Sequence, residues 1–119
     1  MGTLRKKKSH QKYLKLIAKG FLTDGCNLCN KKKTKSLKEF RYWRIINNLF
    51  PYDRIAKINH IILPKRHTAE KKLTKAEKKE FEIIKSRYIE QKYEFLIETV
   101  NKQKSIPGHF HIHLIIIKD

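Results

Sequence analysis

The sequence lacks any apolar run near the roughly 20 residues needed to cross a bilayer. Its longest candidate, LKLIAKGFL, is too short and too interrupted by lysine to form the core of a signal peptide. Internal repeats and a linker that would mark a second domain are also absent. We therefore expect one domain over residues 1–119, located in the cytoplasm and without a membrane partner.

Acidic residues are scarce, with 11 Asp and Glu against 29 Lys and Arg, so the net charge is +18. Residues 1–38 hold twelve of the basic residues and one acidic residue, Asp24. A phosphate-binding surface would explain this imbalance, and so would a solvated face without a partner. We expect residues 1–8 to form a disordered basic arm. A nucleic acid is a candidate partner for the basic N-terminal region.

Cysteine is equally scarce, since Cys26 and Cys29 in CNLC are the only two. Such a pair can be a redox dithiol, half of a zinc site or a coincidence. A thioredoxin-like dithiol follows a strand and opens a helix, and the surrounding KGFLTDGCNLCNKKKTK shows no such context. The pair therefore indicates a loop or knuckle, and a zinc site there would need histidines from elsewhere in the chain.

The pattern of apolar residues predicts an α+β domain with an antiparallel sheet of about four to five strands and packed helices. Thr74 and Glu77 form a capping-box pattern that starts the second helix. The predicted elements in chain order are a helix over 9–20, a polar loop over 30–38, strands over 40–48 and 54–63, a helix ending near 90, and strands over 93–100 and 108–117.

The segment GHFHIHLIII places three histidines at alternate positions. Side chains two apart in a strand share a face, so His109, His111 and His113 line one face while Phe110 and Ile112 line the other. The row is consistent with an exposed strand edge, an all-histidine metal face, or nucleophilic catalysis by a neutral imidazole.

The segment HFHIHLI resembles the signature of the histidine triad (HIT) family, in which three histidines alternate with apolar residues. The segments NNLFPYD, NHIILPKRH, LTKAE and SIPGHFHIHLI follow the order seen in that family. The resemblance covers roughly residues 26–117. It implies a HIT-like antiparallel sheet with helices, commonly as a homodimer.

The resemblance also implies chemistry at a nucleotide α-phosphate, performed by a hydrolase or a nucleotidyltransferase. The middle histidine of the family carries a covalent nucleotidyl group, which corresponds to His111 here, with His113 as its orienting partner. Asn48 matches a family position near the sugar or phosphate. SIPG replaces the Gln-Ser pair common before the triad, which leaves Ser105 as the nearest polar candidate, and Gly108 would permit close approach to the phosphate. The nucleotide contact that many members make with a histidine falls at Asn59 or His60.

A zinc-bearing branch of the family uses a C-x-x-C pair, the histidine that ends P-K-x-H, and the first histidine of the triad. Carried over, the ligands are Cys26, Cys29, His67 and His109, which form a closed structural zinc site. This site would fasten residues 9–38, expected to be a helix and a zinc knuckle, to the histidine strand. The leading hypothesis is thus a HIT-type enzyme. The alternative is a nucleic-acid-binding module, or an aprataxin-like enzyme that removes adenylate from polynucleotide ends.

Overall fold

The computed structural model describes residues 3–18, 27–29, 34–100 and 109–119. The first helix, α1, spans Lys7–Ala18, and a 3-10 turn spans Asn27–Cys29. Within the described residues, no helix is long and apolar enough to cross a membrane.

Among the described residues, five strands form one antiparallel sheet in the order β1-β2-β3-β5-β4. They span Ser36–Glu39, Trp43–Asn47, Ala56–Pro64, Phe95–Ile97 and Ile112–Ile117. The predicted α+β class with about four to five strands is confirmed. The additional strand, β1, begins inside the segment that the sequence predicts to be a polar loop. Its four residues are exposed and pair with β2 at the edge of the sheet, so they lack the buried apolar residues that mark a strand in the sequence. β4 is shorter than the strand predicted over 93–100.

The second helix, α2, spans Lys75–Ile84 and continues through a π-helical turn at Lys85–Ile89 into the short helix α3, Glu90–Lys92. The predicted capping box is present. Glu77 donates its backbone N–H to the Thr74 side chain at 3.1 Å, and the Thr74 N–H reaches the Glu77 carboxylate at 2.8 Å. These bonds satisfy two amide groups that a helix start otherwise leaves without a partner.

The main core lies between α2 and one face of the sheet. Trp43, Ile62, Ile84 and Leu114 are buried in this cluster. Phe110 and Ile112 join them, as the alternation of the histidine strand predicted. A smaller cluster lies on the opposite face and includes Leu28, Ile46, Ile61 and Leu63. The histidine row shares that second face, because Ile61 pairs directly with His113 across the strands.

Residues 3–8, part of the basic arm that the sequence predicts to be disordered, make defined contacts in the structure. Arg54 donates its backbone N–H to the Leu4 carbonyl at 2.9 Å, and Lys6 donates its own to the Asp53 carboxylate at 2.6 Å. Helix α1 begins at Lys7, two residues earlier than predicted. These contacts arise because the turn between β2 and β3 offers a carboxylate and backbone groups that the sequence pattern does not reveal.

The start of α2 is also tied to the segment that follows β3. Arg66 donates to the Glu77 carboxylate at 2.8 Å and to the Lys72 carbonyl at 2.9 Å. Glu77 is buried, and its hydrogen bond to Arg66 holds the pKa of the carboxyl below its ordinary value. The ion pair therefore fixes the backbone beside His67.

Glu77→Gln should reduce the free energy of unfolding at pH 7, because the ionised carboxylate is what Arg66 and Thr74 stabilise. Since the folded-state pKa is lowered, this contribution is present above the pKa of an unfolded Glu, about 4.3, and is lost as the pH falls through the folded pKa. Urea unfolding from pH 7 to pH 3 should show the gap between wild type and variant closing in acid. Glu82→Gln, at an exposed position of the same helix, should leave stability unchanged. A gap that is absent at pH 7 or constant with pH would contradict this account.

Candidate active site and metal centre

Three of the four predicted metal ligands meet in the structure. The Cys29 Sγ lies 3.3 Å from the Nδ1 of His67 and 3.3 Å from the Nδ1 of His109. All three donor atoms lie within 4.8 Å of one another. These residues come from the 3-10 turn, from the loop after β3, and from the segment before β5. The fourth predicted ligand, Cys26, lies outside the described residues.

His109 has the proton arrangement of a metal ligand. Its Nε2–H donates to the Pro64 carbonyl at 2.9 Å, so the neutral ring carries its lone pair on Nδ1, towards Cys29 and His67. Burial, the largest cause, lowers the pKa of His109 and favours the neutral ring that a metal needs. Histidine ligands commonly donate their second ring N–H to a carbonyl in this way.

Arg44 holds the turn that carries Cys29. Its buried guanidinium donates to the Leu28 carbonyl at 2.6 Å, and to the Thr34 carbonyl at 2.5 Å and hydroxyl at 2.9 Å. One side chain on β2 thereby binds residues on both sides of the segment 30–33. Burial lowers the pKa of Arg44, while the charges of Glu39 and Cys29 oppose that shift.

The donor set fits zinc. Thiolate sulfur and imidazole nitrogen are its usual ligands, and a tetrahedral zinc ion separates such a sulfur and nitrogen by about 3.5 Å. The 3.3 Å distances are close to that value. Cys29, His67 and His109 would hold the ion, with Cys26 as the predicted fourth ligand. A filled tetrahedron leaves no open position, so the ion would fasten the Cys29 turn to β3 and β5.

His111 differs from His109 in its tautomer. Its Nδ1–H donates to the His109 carbonyl at 2.9 Å, which places the lone pair of the neutral ring on Nε2. The residue is mostly buried, and its ring lies 5.6 Å from the His113 ring, centroid to centroid, at 74°. A neutral imidazole with a lone pair on Nε2 is the form that attacks an electrophile.

Both ring nitrogens of His113 contact polar side chains. Its Nε2 lies 3.1 Å from the Tyr52 hydroxyl, and its Nδ1 lies 3.3 Å from the Asn59 side-chain nitrogen. Burial lowers the pKa of His113 to about 3, with smaller contributions from His111 and from the positive charge of Arg5. His113 is therefore uncharged at neutral pH.

No family model and no curated protein matched the sequence. The structure, in contrast, is similar to that of a HIT family hydrolase from Clostridium thermocellum. The TM-score is 0.53 at 20 % identity, and the match covers 77 % of this chain and 90 % of the other. The chain has a HIT-like fold. At 20 % identity, this similarity establishes the fold and not the activity.

Of the three residues predicted to contact the substrate, the structure describes Asn48. The Asn48 amide is buried in the β2–β3 turn, where it donates to the Asn59 side-chain oxygen at 3.1 Å and accepts from the Phe50 N–H at 3.0 Å. Asn48 therefore reaches the histidine row through Asn59. Ser105 and Gly108 lie outside the described residues. The substrate contacts of all three residues stay predictions.

Asn59 and His60, the two candidates for the nucleotide contact, lie on opposite faces of β3, and that contact stays a prediction. Asn59 faces the histidine row, whereas His60 lies on the other face and its Nδ1 contacts the Tyr93 hydroxyl at 2.6 Å. Sequence reasoning missed Tyr52, Arg5 and Arg44. The segment FPYD offered a weak signal for Tyr52, since it holds a polar aromatic residue in a turn, but nothing in the local pattern marked the two arginines.

The purified protein should carry about one zinc ion per chain, measured by mass spectrometry of the metal content. Cys29→Ser and Cys26→Ser should each lose the metal and much of the stability, because structural zinc can contribute about 10 kcal/mol or more to folding. His10→Gln, which removes a histidine of α1, should keep both. An intact, reduced protein without zinc would overturn the four-ligand assignment.

Proposed function

We propose that the protein is a HIT-type nucleotide hydrolase or nucleotidyltransferase that acts at a nucleotide α-phosphate. The observation that carries the proposal is the hydrogen bond from the His111 Nδ1–H to the His109 carbonyl at 2.9 Å. It assigns the lone pair to Nε2 in the one ring of the row that is neither in the metal cluster nor enclosed by Tyr52 and Asn59. The similar solved structure is described as a HIT family hydrolase, which supports this class of reaction.

The reaction has two displacements. The Nε2 lone pair of His111 attacks the α-phosphorus, a P–N bond forms, and the bond from phosphorus to the leaving group breaks. The leaving group departs with the electron pair and takes a proton from water or a nearby donor. Water, or a second phosphate acceptor, then attacks the same phosphorus and breaks the P–N bond. This step releases the nucleoside monophosphate or the transferred nucleotide and regenerates the neutral imidazole.

The other residues of the proposed site orient His111 or contact the substrate. His113 is neutral, and its two ring nitrogens contact Tyr52 and Asn59. Its proposed role is therefore to orient the adjacent His111 ring and not to supply a positive charge. Asn48, Ser105 and Gly108 are proposed to contact the substrate, with Gly108 permitting close approach of backbone N–H groups to the phosphate oxygens. The zinc ion would act only in holding His109, whose carbonyl receives the His111 N–H.

His111→Asn and His111→Ala should lower turnover by about a thousandfold or more, because the nucleophile itself is removed. Fold and zinc content should not change. The substrates to screen are adenosine and guanosine phosphoramidates, dinucleotides and adenylated oligonucleotides. Rapid-quench mass spectrometry should detect a nucleotidyl adduct on residue 111 of the wild type.

His109→Ala provides the matched comparison for the His111 variants. It should lose activity together with zinc and stability, since it removes a metal ligand. If His111→Ala turns over substrate as fast as wild type, or if the adduct lies on another residue, the assignment of His111 as the nucleophile is wrong.

A second proposal is that the enzyme acts on polynucleotides. The observation that favours it is a groove of about 600 Å³ between the end of β1 with the turn that follows it and α2 with its π-helical turn, lined by the cations Lys38, Arg41, Lys79 and Arg87. The acid in this lining is Glu80, which accepts a hydrogen bond from the Tyr42 N–H at 2.7 Å. Single-stranded nucleic acids bind to such grooves through their phosphates.

Aromatic residues accompany these charges. Phe40, Tyr42 and Tyr88 line the same groove, and Lys38 and Arg41 lie over their rings at 5.2–6.0 Å. Bases stack on rings of this kind with little dependence on sequence. Cations and rings together favour a single-stranded polynucleotide over a purely solvated surface.

The combined variant Lys79→Ala, Arg87→Ala should weaken the binding of a single-stranded oligonucleotide. The slope of log K against log salt should flatten by about 1.4, because each lost phosphate contact removes about 0.7. The control variant Lys12→Ala, Lys15→Ala removes the same charge from α1. An unchanged slope in the groove variant would reject this groove, and a flattened slope in the control would place the interface at the N-terminal region.

A further inference from the structure

Arg5 is held by three contacts at the turn between β2 and β3. Its Nε–H donates to the Phe50 carbonyl at 2.8 Å. Its guanidinium carbon lies 4.4 Å from the centre of the Tyr13 ring and 5.0 Å from the centre of the Tyr52 ring. The flanking backbone bonds of Leu4 and Lys6 to this turn fix the same segment. Arg5 is therefore a structural part of the turn and not a charge on a solvated arm.

Tyr52 connects Arg5 to the histidine row. The Arg5 guanidinium lies over the Tyr52 ring. The same ring packs against the His113 ring, with centroids 4.4 Å apart and planes tilted by 32°. The Tyr52 hydroxyl lies 3.1 Å from the His113 Nε2. A cation over an aromatic ring is attracted to the negative face of the ring and so helps to hold it in place. Movement of Arg5 would consequently release Tyr52 and alter its contact with His113.

Asn59 supplies one of the two hydrogen bonds that decide which His113 nitrogen carries the proton, and Tyr52 supplies the other. The Asn59 oxygen accepts from the Tyr52 backbone N–H at 2.9 Å and from the Asn48 amide at 3.1 Å. Its nitrogen donates to the His60 carbonyl at 3.1 Å. The backbone N–H can only donate and the carbonyl can only accept, so the orientation of the amide is fixed.

It follows that the Asn59 nitrogen is the donor to the His113 Nδ1 at 3.3 Å. Nδ1 then carries the lone pair, and the proton of the neutral ring is on Nε2, where it donates to the Tyr52 hydroxyl. His111 has the opposite tautomer. The two adjacent rings therefore differ in which nitrogen is protonated, and Tyr52 supplies the acceptor that keeps the His113 proton on Nε2.

We propose that Arg5 is a positioning residue of this site, which acts through Tyr52 to hold His113 as the Nε2–H tautomer beside His111. The effect of Arg5 on turnover rests on the proposed function, whereas its effect on the tautomer of His113 does not. Arg5 lies 108 residues from His113 in the chain, and the contact chain Arg5–Tyr52–His113 joins the N-terminal segment to the reacting centre.

The test compares Arg5→Ala with Lys8→Ala in the zinc-loaded protein. Both variants remove one positive charge from the N-terminal segment, and Lys8 is exposed in the first turn of α1. The imidazole ¹⁵N shifts of His113, assigned by their loss in His113→Gln, report its tautomer. Wild type and Lys8→Ala should show the Nε2–H form, and Arg5→Ala should show averaging between the two tautomers.

Steady-state kinetics give the second readout. Arg5→Ala should lower kcat by about tenfold to a hundredfold with KM near that of wild type, as expected for a misplaced catalytic geometry. Arg5→Lys should recover part of the loss, because an ammonium group can occupy the space between the two rings. A higher KM with unchanged kcat would instead mean that Arg5 binds substrate, and would overturn the positioning role.

Tyr52→Phe keeps the stacked ring and removes the hydroxyl, so it tests the link if Arg5→Ala does not fold. It should shift the His113 tautomer while Arg5 remains in place. If the His113 shifts in Tyr52→Phe and Arg5→Ala equal those of wild type, the inference is wrong whatever the activity. If these shifts change as expected but His111 carries no nucleotidyl adduct, the proposed function fails and the positioning role stands.

Discussion

The antiparallel pairing of β3 with β5 is the constraint on which the site depends. Its register places Ile61 opposite His113 and Ile62 opposite Ile112, so one face of the pair carries the histidine row and the other carries core residues. A slip by one residue would exchange the two faces of β5, moving Ile112 and Leu114 out of the core beneath α2 and turning imidazoles towards Trp43. The burial of these apolar side chains beneath α2 therefore fixes the position of the histidines as well. Because β3 also leads to Pro64 and His67, the same register brings the metal ligands together.

The three histidines occupy one strand face in three different environments, and backbone carbonyls produce much of the difference. The Pro64 carbonyl accepts a hydrogen bond from the Nε2–H of His109, and the His109 carbonyl accepts one from the Nδ1–H of His111. The two rings therefore present opposite nitrogens to their surroundings. His113 is governed by side chains instead, through Tyr52 and Asn59. A repeated residue type thus acquires separate chemical roles without any change in its spacing.

Two buried or partly buried arginines organise the regions around this row. Arg44 binds the turn that carries Cys29, and Arg5 binds the turn that carries Tyr52. Both donate to backbone carbonyls, which suits a guanidinium group because it offers several donors in a rigid plane. The net charge of the chain is +18, and it does not reveal that these two arginines hold turns of the backbone in place.

Local patterns in the sequence determined the alternation of GHFHIHLIII, the capping box at Thr74 and the α+β class, because each depends on residues close together in the chain. The resemblance carried by the triad also indicated Cys29, His67 and His109, which the structure brings together. Only the tertiary structure decided that residues 3–8 pack against the β2–β3 turn, that Asn59 and not His60 faces the row, and that Tyr52 and Arg44 support it. These outcomes depend on strand register and on hydrogen bonds between residues far apart in sequence, for which local periodicity carries no signal.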